Sequence, residues 1–265
     1  MPSASPPAER PPTLLESASR REHLSAVLLL AIIPVFSWIW IVAMARDMYG
    51  PMTGAGAWMM TLDWDVPHLL LLWAMWTVMM TGMMLPSASP LILLYGAAAR
   101  RSAQRTATRQ TYALAAGYLL AWTAFSLGAT VLQRVLASLL LVSPMMEPVN
   151  SRVSATLLLA AGVYQWTPLK HACLRQCRSP IGFLMGRWRS GSAGALRMGL
   201  EHGTFCVGCC WVLMLLLFAG GVMNLSVIAA LTIWVAFEKL APFGRQSARL
   251  SAMLLLIFGV WMAWR

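Results

Sequence analysis

"LRMGLEHGTFCVGCCWVLMLLLFA", residues 196–219, is apolar and long enough to cross a bilayer, yet it carries a carboxylate, an imidazole and three thiols. At about 1.5 Å per residue such a helix covers a hydrocarbon core of about 30 Å. Residues three or four apart share a helix face, so Met198, His202, Cys206, Cys210 and Met214 form one row, flanked by Cys209. The row is about 24 Å long, and the spacing predicts that Cys206 to Cys210 lie near mid-depth. Thiolate and thioether together select monovalent copper, with zinc the alternative for thiolate and imidazole. The competing reading is packing: Cys is a small hydrophobe and Met a flexible filler. Gly199, Gly203 and Gly208 predict that another helix approaches this one closely.

The rest of the chain reads in the same way. Of 265 residues, 59% are apolar and only 11% charged, which is the composition of a multi-pass membrane protein. Apolar runs predict an all-α transmembrane bundle of about seven spans: Leu24 to Ala45, His68 to Leu85, Thr111 to Gln133, Val153 to Trp166, Leu196 to Ala219, Val222 to Phe237 and Leu250 to Trp264. Pro86 interrupts helical hydrogen bonding, and Pro86 to Ala99 reads as an extension of the second span, not an eighth crossing. Residues 1–23, rich in Pro, Ser and Ala, are expected to be a disordered cytosolic tail before a membrane domain at 24–265. The first span is expected to be a retained anchor, because its apolar run exceeds a signal h-region.

A net charge of +11 would suggest nucleic acid in a soluble chain, but topology accounts for it here. With the N-terminus cytosolic and the C-terminus outside, inside segments hold the basic residues of 10–21, 100–109, 170–197 and 239–249, which are 16 of the 20 in the chain. Outside lie Arg46, Arg134, Arg152 and Arg265 beside Asp47, Asp63, Asp65 and Glu147. The partner for this charge is the anionic inner leaflet of a lipid bilayer, with no nucleic acid required.

Further soft donors lie along the second span. Met75, Met79 and Met83 make one row, and Met80 with Met84 a second, either packing filler or an opposing wall for a soft cation. His68 reads as a helix start beside Asp63 and Asp65 or as a cation vestibule. Cys173 and Cys177, one turn apart between spans, suggest a cytosolic docking site whose thiol pKa values are lowered by Lys170, Arg175 and Arg178. Glu201 is either an ion-pair partner of Arg197 or a proton acceptor for a metallating thiol, and Glu238 either pairs with Lys239 or is proton-linked. Five cysteines on the reducing side do not read as a disulfide framework.

The segments "MMTGMMLPSASP" (79–90), "YQWTPLKHACLRQCRSP" (164–180), "EHGTFCVGCCW" (201–211), "LFAGGVMNL" (217–225) and "FEKLAP" (237–242) resemble, in this order, a bacterial family of multi-pass proteins described as predicted metal-binding integral membrane proteins. The likeness runs from about Trp73 to Gly244. It implies metal binding and an inner-membrane location, with His202, Cys206, Cys209, Cys210, Cys173, Cys177 and Glu238 at motif positions.

Together these features predict transport or delivery of a soft cation, Cu(I) before zinc, through a Met/Cys/His path. A cytosolic metal chaperone or a membrane metalloenzyme is the expected partner. The alternatives are a membrane thiol redox protein and a non-transporting assembly factor for a metalloenzyme. No G-x-x-x-x-G-K-[ST] is present, so ATP-driven pumping by this chain is not expected, and neither is enzymatic activity.

Overall fold

The computed structural model describes residues 14–50, 54, 56, 59, 64–102, 106–241 and 244–264, with side chains from residue 24 onward except at 244 and 245. Arg10, Asp63, Arg105 and Arg265, and residues 1–13 of the expected tail, lie outside the described residues. The described chain is all-α. Its helices are α1 (Leu14–Met48), α2 (Val66–Arg101), α3 (Ala107–Ser138), α4 (Ser151–Gln165), α5 (Pro168–Arg178), α6 (Pro180–Arg187), α7 (Gly191–Leu215), the single turn α8 (Leu217–Gly220), α9 (Leu225–Leu240) and α10 (Gly244–Trp264). The first helix begins at Leu14, ahead of the Leu24 start read from hydropathy.

Among the described residues, five helical segments are long and apolar enough to cross a membrane: Leu24–Met48, Val66–Arg101, Ala107–Ser138, Gly191–Gly220 and Gln246–Trp264. The two further expected spans correspond to α4 and α9, which have 15 and 16 residues and reach only about 22–24 Å. By contrast α2, with 36 residues, extends about 54 Å. It continues unbroken through Pro86 and Pro90, so the segment after Pro86 is an extension of the same helix. Asp65 starts this helix by accepting the His68 backbone N–H at 2.9 Å, which gives His68 a place in the first turn.

Small residues set the closest helix contacts. A Cβ at Gly199 of α7 would stand 1.9 Å from the Leu114 carbonyl oxygen of α3, and one at Gly117 of α3 would stand 2.0 Å from the Leu196 carbonyl oxygen. Only glycine permits that backbone-to-backbone crossing. Gly203 continues it against Ala121, and Gly82 of α2 admits Ser37 of α1 in the same way. Helix α4 packs on α10 through Gly162 and Gly259. Polar groups inside these contacts are mostly satisfied, as with Trp76 Nε1 donating to Gln133 Oε1 at 2.7 Å. The outward faces are apolar: Leu28, Ile32, Phe36 and Ile39 on α1 and Ile257, Phe258, Trp261 and Trp264 on α10 are all exposed. A surface of that kind fits hydrocarbon far better than water.

Candidate metal centre

The centre forms where α2, α3, α5, α7 and α9 meet. Helix α7 contributes its buried row: Met198, His202, Cys206, Cys209, Cys210 and Met214 are all within 3% of complete burial. The row therefore faces protein, not lipid. Gly208 breaks the side-chain cover on the adjacent face, and two groups occupy that gap. Cys173 Sγ of α5 lies where a Gly208 Cβ would be only 2.8 Å away, and the Tyr164 hydroxyl donates to the Gly208 carbonyl oxygen.

Thus Cys173 and Cys177 are not a separate docking site. Pro168 and Pro180 begin two short helices, α5 and α6, that fold back onto α7. Cys177 Sγ comes within 3.9 Å of Cys209 Sγ. The expected lowering of the α5 thiol pKa values does not occur. Burial pushes Cys173 up, with Cys209 adding to it, and contact with the Cys206 and Cys209 thiols holds Cys177 well above the ordinary thiol value. The cations expected to lower them are turned elsewhere: Lys170 to Glu238, and Arg178 to the Ala241 carbonyl oxygen.

Cys209 and Cys210 both turn back on the helix, donating to the Cys206 carbonyl oxygen at 3.1 and 3.0 Å. Among the described residues no three His, Cys, Asp or Glu side chains converge on one ion position. What stands against the Cys206 sulfur is a cation of the chain itself. Lys239 Nζ is 3.0 Å from Cys206 Sγ, 3.6 Å from Met84 Sδ and 3.2 Å from Ser87 Oγ. The Tyr118 hydroxyl is also 3.1 Å from Cys206 Sγ and donates to the Met84 carbonyl oxygen at 3.0 Å. His202 lies between the Phe183 and Tyr118 rings, at centroid distances of 5.0 and 6.0 Å, and its Nδ1 has no hydrogen-bond partner. A buried imidazole nitrogen left unpaired beside thiols is a donor available to a further ligand.

The contact with Lys239 also fixes the level of the thiols. Lys239 is the penultimate residue of α9, so Cys206 lies level with the end of that short helix and not at its middle. Helix α2 presents Met84 and Ser87 at the same level and then continues for several further turns. Ser37, near the middle of the apolar segment Leu24–Met48 of α1, meets α2 at Gly82, half a turn from Met84.

The remaining candidates separate. Met79, Met83 and Met214 are buried in the main core, while Met198 Sδ accepts the Arg189 backbone N–H at 3.2 Å. Glu201 meets Arg187, Arg189 and Arg197 at 3.2, 2.9 and 3.4 Å, a three-arginine cluster of ion-pair character. Glu238 pairs with Lys170 at 2.7 Å, so the Glu238–Lys239 pair expected from adjacency is not formed. Successive helix residues point about 100° apart and reach different neighbours. Sequence reading also missed Tyr118, Ser87 and Lys239 as companions of Cys206. Met84 is visible in a methionine row, and Lys239 only as the expected partner of Glu238.

No curated protein and no solved structure matches the chain. A family model described as "PpoB2: Copper chaperone" matches residues 73–262, the stretch that holds every donor just described. The chain belongs to that copper chaperone family.

Proposed function

We propose that the chain is an inner-membrane copper carrier that holds Cu(I) on the thiols of Cys177, Cys206 and Cys209 and passes it to a protein acceptor without catalysing a reaction. The observation that carries this reading is the meeting of α5 and α7 thiols, with Cys177 Sγ 3.9 Å from Cys209 Sγ. With metal–sulfur bonds of about 2.3 Å, two sulfurs at that separation subtend roughly 116° at a shared ion, close to a trigonal angle. Cys206 is positioned to supply the third sulfur once it is free of Lys239, and His202 Nδ1 and Met84 Sδ offer further soft donors. Cys173 and Cys210 line the site as reserve thiols for exchange.

The chain is read as seven spans with its N-terminus cytosolic, α4 and α9 being short crossings. The donor or acceptor of the ion is a cytosolic metal chaperone or a membrane metalloenzyme. Passage across the bilayer is a second reading, favoured by the buried row Met75, Met79 and Met83 running outward along α2.

The test is metal analysis of the full chain purified in detergent and loaded anaerobically with chelator-buffered Cu(I). One tightly held ion per chain is expected, and it should be lost in C177S/C206S/C209S. Equal retention by that variant would refute the carrier site. Copper uptake into sealed vesicles by the purified protein separates transport from delivery.

A further inference from the structure

Lys239 is 5% exposed, and its ammonium forms no ion pair with a carboxylate among the described residues. An ammonium has three hydrogens to place, and those of Lys239 face a thiol, a thioether and a hydroxyl. Its sequence neighbour Glu238, the obvious partner, is taken by Lys170. Burying a cation without a carboxylate is costly, and an apolar residue at the end of α9 would pack against the same helices without that cost. The surroundings of Nζ are those expected for a soft metal ion rather than for a lysine.

We propose that Lys239 is the resident cation of the copper site: its ammonium occupies the position against Cys206 in the metal-free chain, and copper enters and leaves by exchange with it. This rests on the copper reading above. Nζ lies 3.0 Å from Cys206 Sγ, whereas a metal–sulfur bond is about 2.3 Å, so an ion bound to that sulfur would compete with the ammonium for the same lone pairs. The two cations repel each other at such a separation and cannot share the sulfur. The lysine stem is long and flexible, and it leaves the helix at its last turn, where the ammonium can swing away from α7.

The exchange has two consequences. The chain's affinity for copper is lower than its sulfur donors alone would give. Release is faster, because the returning ammonium takes up the sulfur as an acceptor removes the ion. Oxidation states do not change: Cu(I) takes the sulfur that the ammonium leaves, and protons carried by the ligating thiols pass to solvent as the ion binds and return as it leaves. Both properties suit a carrier that must surrender its cargo.

The test compares wild-type chain with K239L, K239R and S87A, all full length in detergent. The apparent affinity is read by competition with a colorimetric Cu(I) chelator, and release by the rate of transfer to excess chelator. Removing the charge in K239L, without adding a sulfur donor, should tighten Cu(I) binding at least tenfold and slow transfer correspondingly. K239R keeps a cation and should stay near wild type. S87A removes one partner of the ammonium without touching a sulfur, so it should tighten binding by a smaller factor, and it decides the matter if K239L does not fold. Unchanged or weaker binding in K239L, or in S87A when K239L does not fold, overturns the role of Lys239 while leaving the copper site standing. Failure of the wild-type chain to bind Cu(I) overturns the underlying reading instead.

Discussion

Two buried lysines stand within one small region and are treated in opposite ways. Lys170 is completely buried and donates to Glu238 at 2.7 Å and to Gln165. Glu238 is completed by Ser251 at 3.0 Å, Trp234 Nε1 at 3.2 Å and Gln165 at 3.3 Å. This is a closed polar network joining α4, α5, α9 and α10. Lys239, the next residue after Glu238, faces sulfur and a single hydroxyl. The first lysine ties helices together; the second is a cation held among donors that prefer a softer ion. The difference lies in the partners: one buried charge is matched by a carboxylate and the other is not.

Breaking the first network should have the largest effect. Glu238→Ala leaves the Lys170 ammonium buried and unpaired and should cost about 3–5 kcal/mol of unfolding free energy in detergent, while K170M/E238L should recover much of that loss. A single-variant loss below about 1 kcal/mol would mean that the network does not hold the helices. Trp234→Phe removes one hydrogen bond to the buried Glu238 carboxylate and should cost about 1 kcal/mol by the same measurement. Lys239→Met comes last, with a stability change within about 0.5 kcal/mol or a small gain, because its ammonium leaves no opposite charge behind. A large loss on removing Lys239 would place it with Lys170 as a structural residue.

Much of this arrangement was legible in the sequence. The buried row on α7 followed from helical periodicity, and the close approach at Gly199, Gly203 and Gly208 followed from the absence of side chains there. Five helices have the length and apolarity expected of spans. The positions of Cys173 and Cys177 were not legible, since spacing within α5 says nothing of the fold-back that brings them to Gly208. The pairing of Glu238 with Lys170 was hidden for a related reason: sequence adjacency suggests contact, whereas a helix sends adjacent side chains to different neighbours. Lys239 reads in the sequence only as a partner for Glu238 past the end of an apolar run, and its contact with Cys206 depends on how α9 packs against α7.

The most direct test of the central claim is X-ray absorption at the copper edge of the Cu(I)-loaded chain, wild type beside C177S. The account predicts a sulfur-dominated, three-coordinate ion at about 2.3 Å, with a sulfur lost in the variant. A first shell dominated by nitrogen or oxygen, or an identical spectrum in C177S, would contradict it.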